Sequence, residues 1–91
     1  MTSKSYAQWQ DLFENWPDII QRRGSVVTKQ GESIPFQNFL IASGLLLIDR
    51  DGPDVTGNRR VIVSYDSIDL VKLASSGELS VFQSMGFQPS I

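Results

Sequence analysis

Hydrophobic positions along this chain follow two rhythms, and the change between them falls at Gly24. Before it, Trp9, Leu12, Phe13 and Trp16 recur at i, i+3, i+4 and i+7, with Tyr6 one turn earlier. That spacing gathers large aromatic groups on one face of a helix. Ser5 and Gln8 stand at capping-box spacing, where each side chain can satisfy the other's free backbone N–H. Pro17 disfavours helical geometry at Trp16 and suits the first position of a new helix. Asp18 then falls near the positive end of that piece, Arg22 and Arg23 near its negative end, and Gly24 where a left-handed cap belongs. The pattern predicts one kinked helix or two short ones over residues 1–24.

From Ser25 the period is two. Ser25–Lys29 reads as a short strand, Gln30-Gly31 as a hairpin turn, and Ile34 and Phe36 alternate after it. Phe39 and Ile41 alternate in the opposite phase, and a slip of this kind at Gln37-Asn38 is the signature of a β-bulge that bends the strand between two sheet faces. Ser43-Gly44 is the next turn. Leu45–Ile48 is apolar at every position and reads as a fully buried strand. Residues 49–58, with Asp51-Gly52-Pro53 and Gly57-Asn58, form a loop. Arg59–Tyr65 alternates again with Val61, Val63 and Tyr65 on one side, and Ile68–Leu73 resumes after Asp66-Ser67. Strands this short and this regularly spaced predict a small five-stranded antiparallel barrel over residues 25–73. The tail, residues 74–91, opens with the link Ser75-Ser76-Gly77 and carries Val81, Phe82, Met85 and Phe87. Flexible ends rarely keep such groups without a dock, so the tail is expected to pack on the barrel or on a neighbouring subunit. The fold class expected is a single domain, mainly β with an N-terminal α segment.

The run Val61-Ile62-Val63-Ser64-Tyr65-Asp66-Ser67-Ile68-Asp69-Leu70-Val71 resembles the second motif of the Sm-like family, within the wider class of SH3-like small barrels. Gly31 followed by Ile34 is similar to the glycine turn of the first motif. The resemblance is one of layout over residues 21–73 and implies a bent second strand and ring-type assembly. Where that family holds uracil bases with Asp and Asn, this chain reads Ala42-Ser43-Gly44-Leu45-Leu46, and Ser64-Tyr65 replaces the family's Arg-Gly. No RNA-binding residue carries over.

Composition narrows the chemistry. The 91 residues suffice for one domain, and the 41% hydrophobic and 20% charged fractions are those of a folded protein. Cysteine and histidine are both absent, which removes disulfides, thiolate chemistry, the commonest general base and the commonest metal ligand. The net charge of −2, from 8 basic and 10 acidic residues, lacks the basic excess of a dedicated nucleic-acid binder. The apolar stretch from Phe39 to Ile48 is interrupted by Ser43-Gly44 and too short to span a bilayer, and no signal-peptide core precedes it. A cytoplasmic protein without membrane contact is the expectation.

Asp49, Asp51 and Asp54 crowd one loop, but a calcium loop places glycine sixth and glutamate twelfth, whereas Gly52 falls fourth and Arg60 twelfth. A solvated acidic turn is the better reading. Arg50, Arg59 and Arg60 are the candidate phosphate contacts, although strand alternation sends Arg59 and Arg60 to opposite faces. No glycine-rich phosphate loop and no nucleophile–base pair is present, so no catalytic residue, metal site or cofactor is expected. The expected function is a non-enzymatic binding and assembly module that forms homo-oligomers through its edge strands. Its candidate interface takes Trp9, Phe13 and Trp16 from the helix, Arg59, Val61, Val63, Tyr65, Ile68 and Leu70 from the strands, and Phe82, Met85 and Phe87 from the tail. Two alternatives remain open at this point: a nucleic-acid-binding Sm-like protein, not favoured by the charge, and an accessory subunit that grips another protein with its aromatic helix and tail.

Overall fold

The computed structural model describes residues 4–74 and 77–89, with side chains from Ala7 onward. The capping role of Ser5, the place of Tyr6 in the stripe and the Ser75-Ser76 link lie outside the described residues. The aromatic stripe forms one helix, α1 (Lys4–Glu14). The last helical bond is the Asn15 N–H to the Asp11 carbonyl at 3.1 Å, which the Asn15 Nδ2 also reaches at 2.9 Å, and Pro17 disfavours helical geometry beyond it. The expected second helix is replaced by a turn, in which the Ile20 N–H donates to the Pro17 carbonyl at 3.1 Å. Trp16 holds that turn from inside, its indole Nε1 donating to the Ile20 carbonyl at 2.9 Å.

Gly24 is likewise not a helix cap. It opens β1 (Gly24–Thr28), which pairs antiparallel with β2 (Ser33–Phe36) on one side and β6 (Ile68–Leu73) on the other. A Cβ at Gly24 would sit 1.9 Å from the Lys72 carbonyl oxygen, so the glycine is there to let two backbones approach. The β1–β2 turn uses Gly31, whose φ of 89° is left-handed. Buried Thr28 braces that turn by accepting the Glu32 N–H at 3.1 Å.

Beyond Gln37 the chain enters a second sheet, ordered β3 (Asn38–Ala42), β4 (Leu45–Asp49), β5 (Arg60–Ser64). The phase slip read at Gln37-Asn38 thus falls where the chain changes sheets. A 3₁₀ turn, Tyr65–Ser67, joins β5 to β6, and a 3₁₀ helix, Leu79–Met85, lies in the tail. The five-stranded barrel is therefore corrected: among the described residues six strands make two separate three-stranded antiparallel sheets, and no closed barrel forms. The physical reason lies at two junctions. Gln37 interrupts the strand that would run continuously through both sheets, and the Tyr65–Ser67 turn carries the chain from the edge of one sheet to the edge of the other without pairing β5 to β6.

Both sheets and the helix share one core. Val26, Ile34, Phe36 and Ile68 enter it from the first sheet, and Phe39, Leu46 and Ile48 from the second. Phe13, Trp16 and Ile20 close it from the N-terminal segment, with Tyr65 from the 3₁₀ turn. Phe13 stacks on Trp16 with ring centroids 5.6 Å apart and meets Phe39 edge-on at 5.0 Å, and Trp16 meets Phe39 edge-on at 5.1 Å. Over this cluster lies the Arg22 guanidinium, 4.6 Å from the Phe39 ring centre. The helix is tied to the β3–β4 turn by the Gly44 N–H, which donates to Gln10 Oε1 at 3.2 Å.

Candidate functional site

Each sheet ends in strands bonded on one side only. Among the described residues β5 pairs with β4 alone and β6 with β1 alone. In an antiparallel ladder, N–H and C=O groups point at the partner on every second residue and away from it on the others. The Arg50 N–H donates to the Arg59 carbonyl at 2.9 Å and the Tyr65 N–H to the Gly44 carbonyl at 3.2 Å, which sets the phase for β4–β5. With the register Leu46↔Val63 and Ile48↔Val61, the backbone groups of Arg60, Ile62 and Ser64 then point outward. On β6 the Ala74 N–H donates to the Arg23 carbonyl at 3.0 Å, so Val71 and Leu73 carry the outward groups there. These two rows are unsatisfied within their own sheets and form templates for another strand.

The structure separates the sequence-predicted interface residues into three groups. Phe13, Trp16, Tyr65 and Ile68 are buried in the core and offer no surface. Trp9, Val61, Val63, Phe82 and Met85 are half-buried and lean against it. Arg59, Leu70 and Phe87 are exposed. Trp9, Met85 and Phe87 line one groove of about 770 Å³ between α1 and the tail, with Lys29, Asp11 and Asp69 among its polar lining.

The arginines are not gathered into one free cluster. Arg50 turns into its own loop, its Nε donating to the Gly52 carbonyl at 3.1 Å, and Arg60 lies 3.6 Å from Asp49. Arg59 is exposed. The three loop carboxylates also go separate ways. Asp49 is held by Arg60 and by Gln37 at 3.2 Å, and Asp51 pairs with Arg23 at 3.4 Å. Asp54 accepts the Thr56 and Asn58 N–H groups, each at 2.9 Å, in a self-contained loop. Among the described residues no cluster of three or more carboxylates with metal-binding geometry occurs. No described helix is long and apolar enough to cross a membrane.

The hydrogen bond from the Asn58 N–H, followed by the Thr56 side chain, holds the Asp54 carboxyl down at about 2, against an ordinary 3.8. A carboxylate depressed in the folded loop stabilises it above the unfolded value and ceases to do so as pH falls through the folded one. The Thr56 and Asn58 amide resonances should therefore hold steady through pH 4 and titrate with a midpoint near 2. A midpoint near 3.8 would show the loop bonds to be absent in solution.

Leu40, Leu45 and Leu47 have a place that the sequence reading missed. They lie with Ile62 on the outer face of the second sheet, where Leu40 pairs with Leu47 and Leu47 with Ile62 across the strands. The signal was present: β3, β4 and β5 are apolar in both phases, as in strands covered on both faces.

No known protein family, no curated protein and no solved structure matches the chain. The resemblance to the Sm-like and SH3-like families gains no support from these comparisons.

Proposed function

We propose that this protein is a non-enzymatic assembly module whose copies join through the open edges of its two sheets, β5 of one against β6 of the next. The observation that carries this reading is the pair of one-sided strands, each presenting a row of outward backbone groups: Arg60, Ile62 and Ser64 on one, Val71 and Leu73 on the other. An outward edge on each of two different strands makes the contact heterologous, so that repetition generates a ring or a filament rather than stopping at two. The polar side chains favour a structural role as well. Asp49, Asp51 and Asp54 are each engaged by a neighbour, and neither histidine nor cysteine is available as a base or nucleophile.

Ser64→Pro tests the edge directly. Ser64 has φ −80° and is exposed, and proline takes that φ while removing the outward N–H. The carbonyl that accepts from Ser67 Oγ at 2.8 Å is retained. The variant is expected to keep the parent's thermal midpoint and to associate at least tenfold more weakly in sedimentation velocity. Association equal to the parent's would remove edge pairing as the mode of assembly.

A further inference from the structure

The two sheets differ in what they show to solvent. The first presents two mixed rows outward, Pro35, Ser25 and Lys72 in one and Ser33, Val27 and Leu70 in the other, with Leu70 40% exposed. The second presents a cross-strand row of Leu40, Leu47 and Ile62, in which Leu40 is 66% and Ile62 63% exposed. Beside that row stands a polar one, Asn38, Asp49 and Arg60, in the same register. A shallow depression of about 180 Å³ lies between the two rows.

We infer that this face binds a second copy of itself, through a two-fold axis running along β4 between the two apposed sheets. Such an axis reverses strand order across the interface, so that β3 of one copy lies over β5 of the other and β4 over β4. Leu40 then packs on Ile62 of the other copy, twice, and Leu47 on its own equivalent. In the polar row Asn38 meets Arg60, and each Arg60 comes diagonally toward the other copy's Asp49. The two Asp49 carboxylates that approach at the axis thus share two guanidinium groups, each carboxylate gaining the other copy's Arg60 beside its own at 3.6 Å. At the opposite end Ala42 lies over Ser64, small against small, which leaves room for the two Leu45 side chains. The alternative axis, across the strands, would set the charged row against Leu45 and take it out of water with no polar group of the other copy facing it. The ordering of this face is therefore self-complementary in one orientation, as a two-fold contact requires. Sheets packed in this way keep their strands roughly 30° apart and about 10 Å between layers. A face of roughly 17 by 14 Å is small beside the about 800 Å² a side of a standard interface. The dimer it makes is weak and reversible.

This contact is measured on the Ser64→Pro background, where the β5 edge is closed and the Ala42–Ser64 end of the face is altered equally in every variant, by sedimentation equilibrium of the full chain. Leu40→Asp and Ile62→Lys each place a charge against an apolar partner twice per dimer, and each is expected to weaken association at least tenfold. Mixed in equal amounts, the two variants bring the new carboxylate against the new ammonium at one contact and leave Leu40 against Ile62 at the other. The mixture should associate more tightly than either variant alone. Both side chains are exposed, so far-UV circular dichroism and the thermal midpoint should match the background. Variants that associate as strongly as their background, a mixture no tighter than its components, or a background that stays monomeric to millimolar concentration would each overturn the face-to-face dimer. Ser64→Pro removes an edge N–H and also changes the residue over Ala42, whereas Leu40 lies on β3, outside the β5–β6 edge contact. Leu40→Asp on the otherwise wild-type chain therefore reports on the face, and the two contacts fail separately.

Discussion

Replacing Trp16 by alanine is expected to destabilise the protein by about 3–5 kcal/mol, the range for deleting a buried aromatic group. The side chain stacks on Phe13, meets Phe36 and Phe39 edge-on and is almost entirely buried. Its loss opens a cavity where helix and both sheets converge. It also strands the Ile20 carbonyl, which accepts from the indole at 2.9 Å. A domain of this size has a total stability of roughly 5–14 kcal/mol, so the variant is marginal at best. Trp16→Phe separates the two contributions. It keeps most of the packing and removes the hydrogen bond, at a cost of about 1–3 kcal/mol. Urea unfolding followed by far-UV circular dichroism reads both, since the fluorescence baseline changes with the tryptophan. A cost below about 1 kcal/mol for Trp16→Ala would mean that the ring is not in the core, because even partial collapse of the site leaves more than that.

Gly24→Ala carries the second large effect, and its cause is space rather than dihedral angle. Gly24 has no left-handed φ, yet an added Cβ meets the Lys72 carbonyl oxygen at 1.9 Å and its carbon at 3.0 Å. Both atoms belong to backbone paired in the β1–β6 ladder, so relief requires the two strands to part near Leu73. The expected cost is about 3 kcal/mol or more, the upper end of the overpacking range. At roughly 4–8 °C per kcal/mol for a domain of this size, the thermal midpoint falls by at least about 12 °C. Two other glycines calibrate the measurement. At Gly31 nothing would touch a Cβ, but φ is 89°, so alanine costs about 1 kcal/mol through backbone strain. At Gly52 neither objection applies, and alanine should be neutral or stabilise by about 0.5 kcal/mol. Equal midpoints for the Gly24 and Gly52 variants would contradict the close approach of β1 and β6.

The sequence displayed the change of rhythm at Gly24 and hid the reason for that glycine. Helix-capping grammar and close strand approach both select glycine, and only the second requires a partner some fifty residues away, at Lys72. A similar ambiguity surrounded Pro17. Proline suits the start of a helix, but the local pattern does not record that the Trp16 indole captures the Ile20 carbonyl and holds a turn there. The strands were legible where burial alternates, as along Leu45–Asp49 and Arg60–Ser64, whereas Ile68–Leu73 changes phase between Ile68 and Val71, opposite the register shift at Val27/Thr28. Closure into a barrel was not, because it depends on pairing between β5 and β6, and alternation along one strand says nothing about its neighbour. The outer leucines were misread for the same reason. Leu45–Ile48 reads as buried on both faces, and the structure buries Leu46 and Ile48 while Leu45 stays exposed and Leu47 half-exposed. The core was visible in part: Phe13 and Trp16 stood on the predicted stripe, whereas Tyr65, read at the end of a strand beside Val61 and Val63 and as a candidate interface residue, is carried into the core by the 3₁₀ turn.

Edge pairing and the apolar sheet face make one common demand, that the chain associate with itself. Sedimentation velocity of the unmodified protein from micromolar to millimolar concentration measures this most directly. The weight-average mass should climb with concentration from 10.2 kDa toward multiples of it, and climb less for Ser64→Pro. A single species of 10.2 kDa across the whole range would contradict self-association.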